Sequence, residues 1–158
     1  MNQERLLEAA ARLPTVAKAQ ADAYEAKREM LVAEVNKAML ARPDVARLVG
    51  NEDNLGMMEN NHANHARFVA TILRFPDAST LVDTVLWVFR AYRNHGFSLA
   101  YWPAQLNAWI DAMNKHLDPA DVSAIYPLYD WFIVQQPAFV ALSDGEVKAD
   151  QGPEPRHG

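Results

Sequence analysis

His62 and His65 stand in a stretch whose other members at three- and four-residue spacing are Leu55, Met58, Val69 and Ile72. On a helix that spacing defines one face, so both imidazoles are predicted to project from an apolar stripe. An imidazole so placed can ligate a metal or haem iron, hydrogen-bond a ligand, or titrate near neutral pH. It can equally be a core histidine satisfied by a nearby amide such as Asn61 or Asn64, or by a backbone carbonyl. Glu59 and His62 also have the Glu-x-x-His spacing of carboxylate-bridged di-iron bundles, which need a second such pair. None follows: no glutamate occurs from residue 60 to residue 145, leaving Asp83, Asp111 or Asp130 as the carboxylates a metal would have to use.

A second constellation runs from Tyr92 through Arg93, Asn94, His95, Gly96 and Phe97 to Tyr101 and Trp102, with Leu106, Trp109 and Ile110 following at helical spacing. Tyrosine and tryptophan bury large apolar area while keeping a polar handle, which suits a ligand pocket, a protein interface or a plain core. Hydrolytic chemistry finds little material. The chain has no Gly-x-Ser-x-Gly turn and no glycine-rich phosphate loop, and His116 beside Asp111 and Asp118 reads more simply as surface electrostatics than as an acid-base pair.

The elements that must hold these residues are all predicted to be helices. Leu6, Leu7, Ala10 and Leu13 recur at helical spacing before Pro14. A long Ala-, Glu- and Lys-rich helix then follows from about 16 to 41, with Tyr24, Leu31, Val35 and Met39 on one face. Arg42-Pro43-Asp44 stops it, and Asp44 to Val49 has room for a turn or two before Gly50. Asn51, Asp53 and Asn54 offer side-chain oxygens to the start of a third long helix, ended by Pro76. Asp77 or Ser79 starts a fourth, to His95, apolar around most of its circumference and therefore expected at the centre; Gly96 terminates it. Ser98 opens a fifth helix reaching Leu117, in which Pro103 is tolerable only near the first turn. Asp118-Pro119 starts a sixth, which Pro127 and Pro137 are expected to kink or divide. No strand-like alternation or internal repeat is visible. The expected fold is all-α, six to seven helices in a globin-like orthogonal packing, with a helical bundle as the alternative. One domain is expected over 1-142, with a flexible tail over 143-158.

Composition bounds the function. The 158 residues suffice for one core, and half are hydrophobic. A formal charge of −5 disfavours attraction to nucleic acid. The absence of cysteine removes thiolate chemistry and zinc-thiolate sites, and suits a cytoplasmic setting. The charged N-terminus does not read as a signal peptide, and no apolar run approaches the ~20 residues that span a bilayer.

The stretch Tyr92 to Ile110 is similar to the junction of the F and G helices in globins and globin-type bacterial sensors. There a haem-binding histidine is followed by a Gly-Ile-like turn and an aromatic residue. Gly96-Phe97 matches the turn, Trp102 takes the aromatic position and Tyr92 falls where the iron-binding histidine would be. His62 lies thirty residues earlier, a separation similar to that of the distal and proximal positions, and Arg42-Pro43 lies where the B helix gives way to the C region. A register shifted to His65 nominates His95 instead. The resemblance spans about residues 16 to 142 and implies a pocket near His62, His65, Tyr92, His95 and Trp102. Haem is the family's cofactor; tyrosine in the proximal position makes this chain look more like the haem-free members found among bacterial stress-signalling sensors.

The leading expectation is therefore a regulatory or sensory globin-like domain, not an enzyme, that binds a small ligand or a partner in a pocket lined by histidine and aromatic side chains. The alternative is a helical interaction or homodimerisation module with no ligand. A haem- or iron-binding protein is the third reading.

Overall fold

Side-chain caps and proline stops set the helix boundaries. In the computed structural model, which describes the backbone of residues 2–150 and the side chains of residues 2–144, the chain forms eight α-helices. They are α1 (Gln3–Ala11), α2 (Lys18–Leu40), α3 (Val45–Val49), α4 (Leu55–Arg74), α5 (Ala78–Asn94), α6 (Tyr101–His116), α7 (Pro119–Val134) and α8 (Gln136–Asp150). A 3₁₀ turn at Glu52–Asn54 precedes α4, and no strand occurs among the described residues. The fold is all-α.

Each start has a local cause. Asn2 caps α1 by accepting from the Arg5 amide, and Asp77 caps α5 by accepting from the Thr80 amide, both at 3.0 Å. Asn51 caps the 3₁₀ turn through the Asp53 amide at 2.8 Å, so the predicted start signal acts one turn before α4 itself. Pro119 opens α7 where its missing N–H costs nothing, and Pro103 sits in the first turn of α6. Pro127 lies inside α7 without ending it. The division expected at Pro137 falls at Gln135, leaving that proline in the first turn of α8. The last helix continues through the expected boundary at Leu142 to Asp150, with Ser143 buried and Asp144 paired to Arg93 at 2.6 Å. The rest of the predicted tail, 151–158, lies outside the described residues.

One hydrophobic core joins all the long helices. The long α2 takes the central place expected for α5: it packs against α4, α6 and α7, and its Tyr24, Leu31, Val35 and Met39 are fully buried. By contrast, α5 packs against α1 and α8 through Leu81, Val82, Leu86 and Phe89. Val85 and Val88 are half-buried and face a cleft, and Trp87 is exposed. The broad apolar circumference of α5 therefore reflects a core face and a cleft face rather than complete burial.

Two glycines close helix junctions that pack against each other. Gly50 (φ 103°) and Gly96 (φ 96°) both adopt left-handed backbone, which costs glycine little because it has no Cβ. The two turns meet. Asn54 Nδ2 donates to the carbonyls of both Val49 and His95 at 2.8 Å, and the Ser98 amide donates to the Leu48 carbonyl at 2.8 Å.

Candidate functional site

The apolar stripe of α4 forms as its spacing predicts: Met58, His62, Val69 and Ile72 are buried, and His65 is half-buried. The two histidines have different surroundings.

His62 is completely enclosed. Its Nδ1 stands 2.6 Å from Asn36 Oδ1 on α2, and its Nε2 3.0 Å from the Tyr101 hydroxyl at the start of α6. The same hydroxyl donates to Asn61 Oδ1 at 2.8 Å. One phenol proton cannot serve both acceptors. A neutral ring therefore requires either Asn36 or Asn61 to turn its NH₂ end inward, whereas a charged ring would require neither. Burial decides in favour of the neutral form, pushing the pKa of His62 down to about 4. The satisfying amide is Asn36, from another helix, and Asn61 reaches the ring only through Tyr101.

His65 points toward α6 and α7. Its Nε2 lies 2.8 Å from the Tyr129 hydroxyl, which lies 2.9 Å from the Tyr24 hydroxyl of α2. The imidazole packs on Trp109 with ring centroids 4.6 Å apart. Burial, and then the neighbouring His62, hold its pKa well below the usual histidine range. Neither ring is a switch at neutral pH.

The outer edge of His65 belongs to a cleft of about 270 Å³ between α4, α5, α6 and the α7–α8 junction. Tyr92 and Trp102 line it as well, together with Phe89, Leu106 and Phe132. Phe89 stacks on Trp102 at 4.6 Å between ring centroids, and Tyr92 meets Trp102 edge-on. Burial raises the Tyr92 phenol above its ordinary pKa, and the adjacent Asn61 and Asn64 amides oppose that rise. The phenol is therefore neutral at physiological pH. Thus three of the five predicted site residues, His65, Tyr92 and Trp102, share one cavity. His62 lies behind its wall, bonded to Tyr101. His95 does not join them: it caps the C-terminal end of α5 as an exposed residue, and its carbonyl is held by Asn54.

Sequence reasoning missed Gln105, which is 3% exposed and lines the same cleft. Its Oε1 accepts from Trp109 Nε1 at 2.9 Å, one helical turn away. An indole nitrogen can only donate, so this bond fixes which end of the amide faces Trp109 and leaves the NH₂ as the free end. The i, i+4 relation to Trp109 was the available signal.

Metal and haem chemistry fit these residues poorly. Among the described residues no group of three or more histidine or acidic side chains could hold a metal ion. Both nitrogens of His62 and Nε2 of His65 are engaged by protein partners. That leaves haem iron only Nδ1 of His65 as a histidine donor beside the cleft. The acid-base pairing considered for His116 is replaced by a contact from its Nε2 to Glu34 Oε1 at 3.2 Å, shared with Lys115. No helix among the described residues is long and apolar enough to cross a membrane.

No family model, curated protein or solved structure matches the chain.

Proposed function

We propose that the protein is a regulatory or sensory domain of globin-like type that binds a small ligand in the cleft beside His65, Tyr92 and Trp102. The observation that carries this reading is the cleft itself: a cavity of about 270 Å³ whose wall combines stacked aromatic rings with a few amide groups. Concave apolar space with sparse polar groups is the common form of a small-molecule site. Neutral imidazoles beneath it, with both nitrogens of His62 and Nε2 of His65 already paired, support binding rather than acid-base catalysis, because neither ring titrates near neutral pH.

The test is a titration of ¹⁵N-labelled protein with a set of small aromatic fragments, repeated on Val88→Phe, which fills the cleft from its α5 side. Amide shifts around His65, Tyr92 and Trp102 that disappear in the variant support the reading. It is overturned if no fragment perturbs that region at millimolar concentration, or if the filled variant binds equally well.

A second reading, docking of a partner or a second copy, is favoured by Trp87, 57% exposed at the cleft rim. A native mass above that of the monomer, lowered by Trp87→Gln, is its expected signature.

A further inference from the structure

A ligand for this cleft must answer to what its wall offers, and the wall has two notable properties. The first is charge: no lysine, arginine, aspartate or glutamate lines it. An ion entering would lose water without gaining a counter-charge, which is strongly unfavourable. The second is a pair of unpartnered donors on α6, one open to the cleft and one sealed from solvent. Gln105 has its oxygen committed to Trp109 and no protein acceptor for its NH₂. Trp102, 4% exposed, has an indole N–H with neither an acceptor nor contact with solvent.

A buried donor without a partner, as at Trp102, is uncommon. Both donors belong to side chains of the same wall on α6, separated by less than one turn. The opposing surfaces are flat: Phe89 stacks on Trp102, and Phe132 and Phe139 add further rings. Flat rings favour a flat partner, by offset stacking or edge contact. We infer that the cleft takes an uncharged, planar, mostly apolar compound carrying a hydrogen-bond acceptor, such as a ring nitrogen or carbonyl oxygen. Gln105 Nε2 receives that acceptor, and the Trp102 ring, its N–H sealed from solvent, contributes apolar surface to the wall. This rests on the reading of the cleft as a ligand site and adds the chemical class of the ligand.

Three probes of similar shape separate the parts of this inference. Naphthalene has the flat apolar body and no acceptor, quinoline adds one ring nitrogen and is neutral at pH 7.5, and 2-naphthoate adds a negative charge. Titrations followed by the indole Nε1–H and side-chain amide resonances should show quinoline binding roughly five- to tenfold tighter than naphthalene, the worth of one hydrogen bond. The Gln105 amide and Trp102 indole signals should move with quinoline, and 2-naphthoate should bind at least about tenfold more weakly than quinoline. In Gln105→Met, quinoline and naphthalene should become equal. Should that variant fail to fold, the wild-type Gln105 amide shift decides: its absence at saturating quinoline overturns the inference. Equal affinity for quinoline and naphthalene in the wild type discards the acceptor while leaving the cleft as an apolar site. Preference for 2-naphthoate discards neutrality. Binding of none of the three, while other fragments perturb the cleft, discards the planar class without touching the ligand-site reading.

Discussion

His65 Nε2 and the hydroxyl of Tyr129 stand 2.8 Å apart, 64 positions apart in the chain, and that hydroxyl also meets Tyr24 at 2.9 Å. One phenol thus holds α4, α7 and α2 together beneath the cleft. Tyr129→Phe leaves the ring packing in place and orphans two buried groups, so it should cost about 1–3 kcal/mol. That corresponds to a loss of roughly 2–4 °C per kcal/mol for a chain of this size. Tyr24→Phe should cost less, because the Tyr129 hydroxyl then keeps His65. Thermal denaturation of both single variants and the double variant measures the coupling, and strict additivity would discount the three-membered chain.

Acid should destabilise the fold through the imidazoles of His62 and His65. Both have folded pKa values below the unfolded value of 6.5, His62 at about 4. The unfolded chain therefore takes up protons first. The stability they contribute is complete above about pH 6.5 and is lost as pH falls toward about 4, on the order of 3 kcal/mol for His62. Urea midpoints recorded from pH 7.5 to pH 4 should decline through that window. An imidazole resonance of either residue titrating with a midpoint near 6.5 would contradict this.

Gly50 and Gly56 should respond to alanine in opposite directions. At Gly50 the left-handed backbone is strained for any other residue, and a Cβ would lie 2.7 Å from the Gly96 carbonyl oxygen. Gly50→Ala should therefore lose about 2 kcal/mol or more. At Gly56, in the first turn of α4, a Cβ meets nothing within 4 Å, and alanine should gain up to about 0.5–1 kcal/mol by restricting the unfolded chain. Chemical denaturation of the two variants side by side checks the sign of each.

Val88→Phe and Leu86→Ala separate cleft from core on α5. Val88 borders the cleft and is half-buried, so a ring there should fill open space and leave the melting temperature nearly unchanged. Leu86 is buried and does not border the cleft, so its truncation should cost about 2–5 kcal/mol. A large loss in Val88→Phe would mean that the cleft is too tightly packed to accept a side chain.

Helix boundaries were legible because they are written locally. Asp77, Pro119 and Gly96 act on the residues beside them, and the structure uses each as its chemistry predicts. The burial of His62 was legible for a related reason, since Met58 and Val69 mark the same face. Partners across helices were not. Asn36 lies 26 residues before His62, and nothing in the periodicity of α2 singles it out. His95 entered only through a shifted register of the resemblance, and as the exposed C-cap of α5 it lies apart from the cleft. The central position of α2 was hidden by its polar exposed faces, which lower its average hydropathy although its buried stripe is complete.

The cleft lies along a seam. On one side α4, α6 and α7 pack around α2, and on the other α5 packs with α1 and α8. Its width is therefore set by how two groups of helices seat on each other rather than by any single loop. Slow amide exchange should reveal this as matched opening rates for residues of α5 and α8, distinct from those of α2, and an occupant bridging the seam should slow the former pair together.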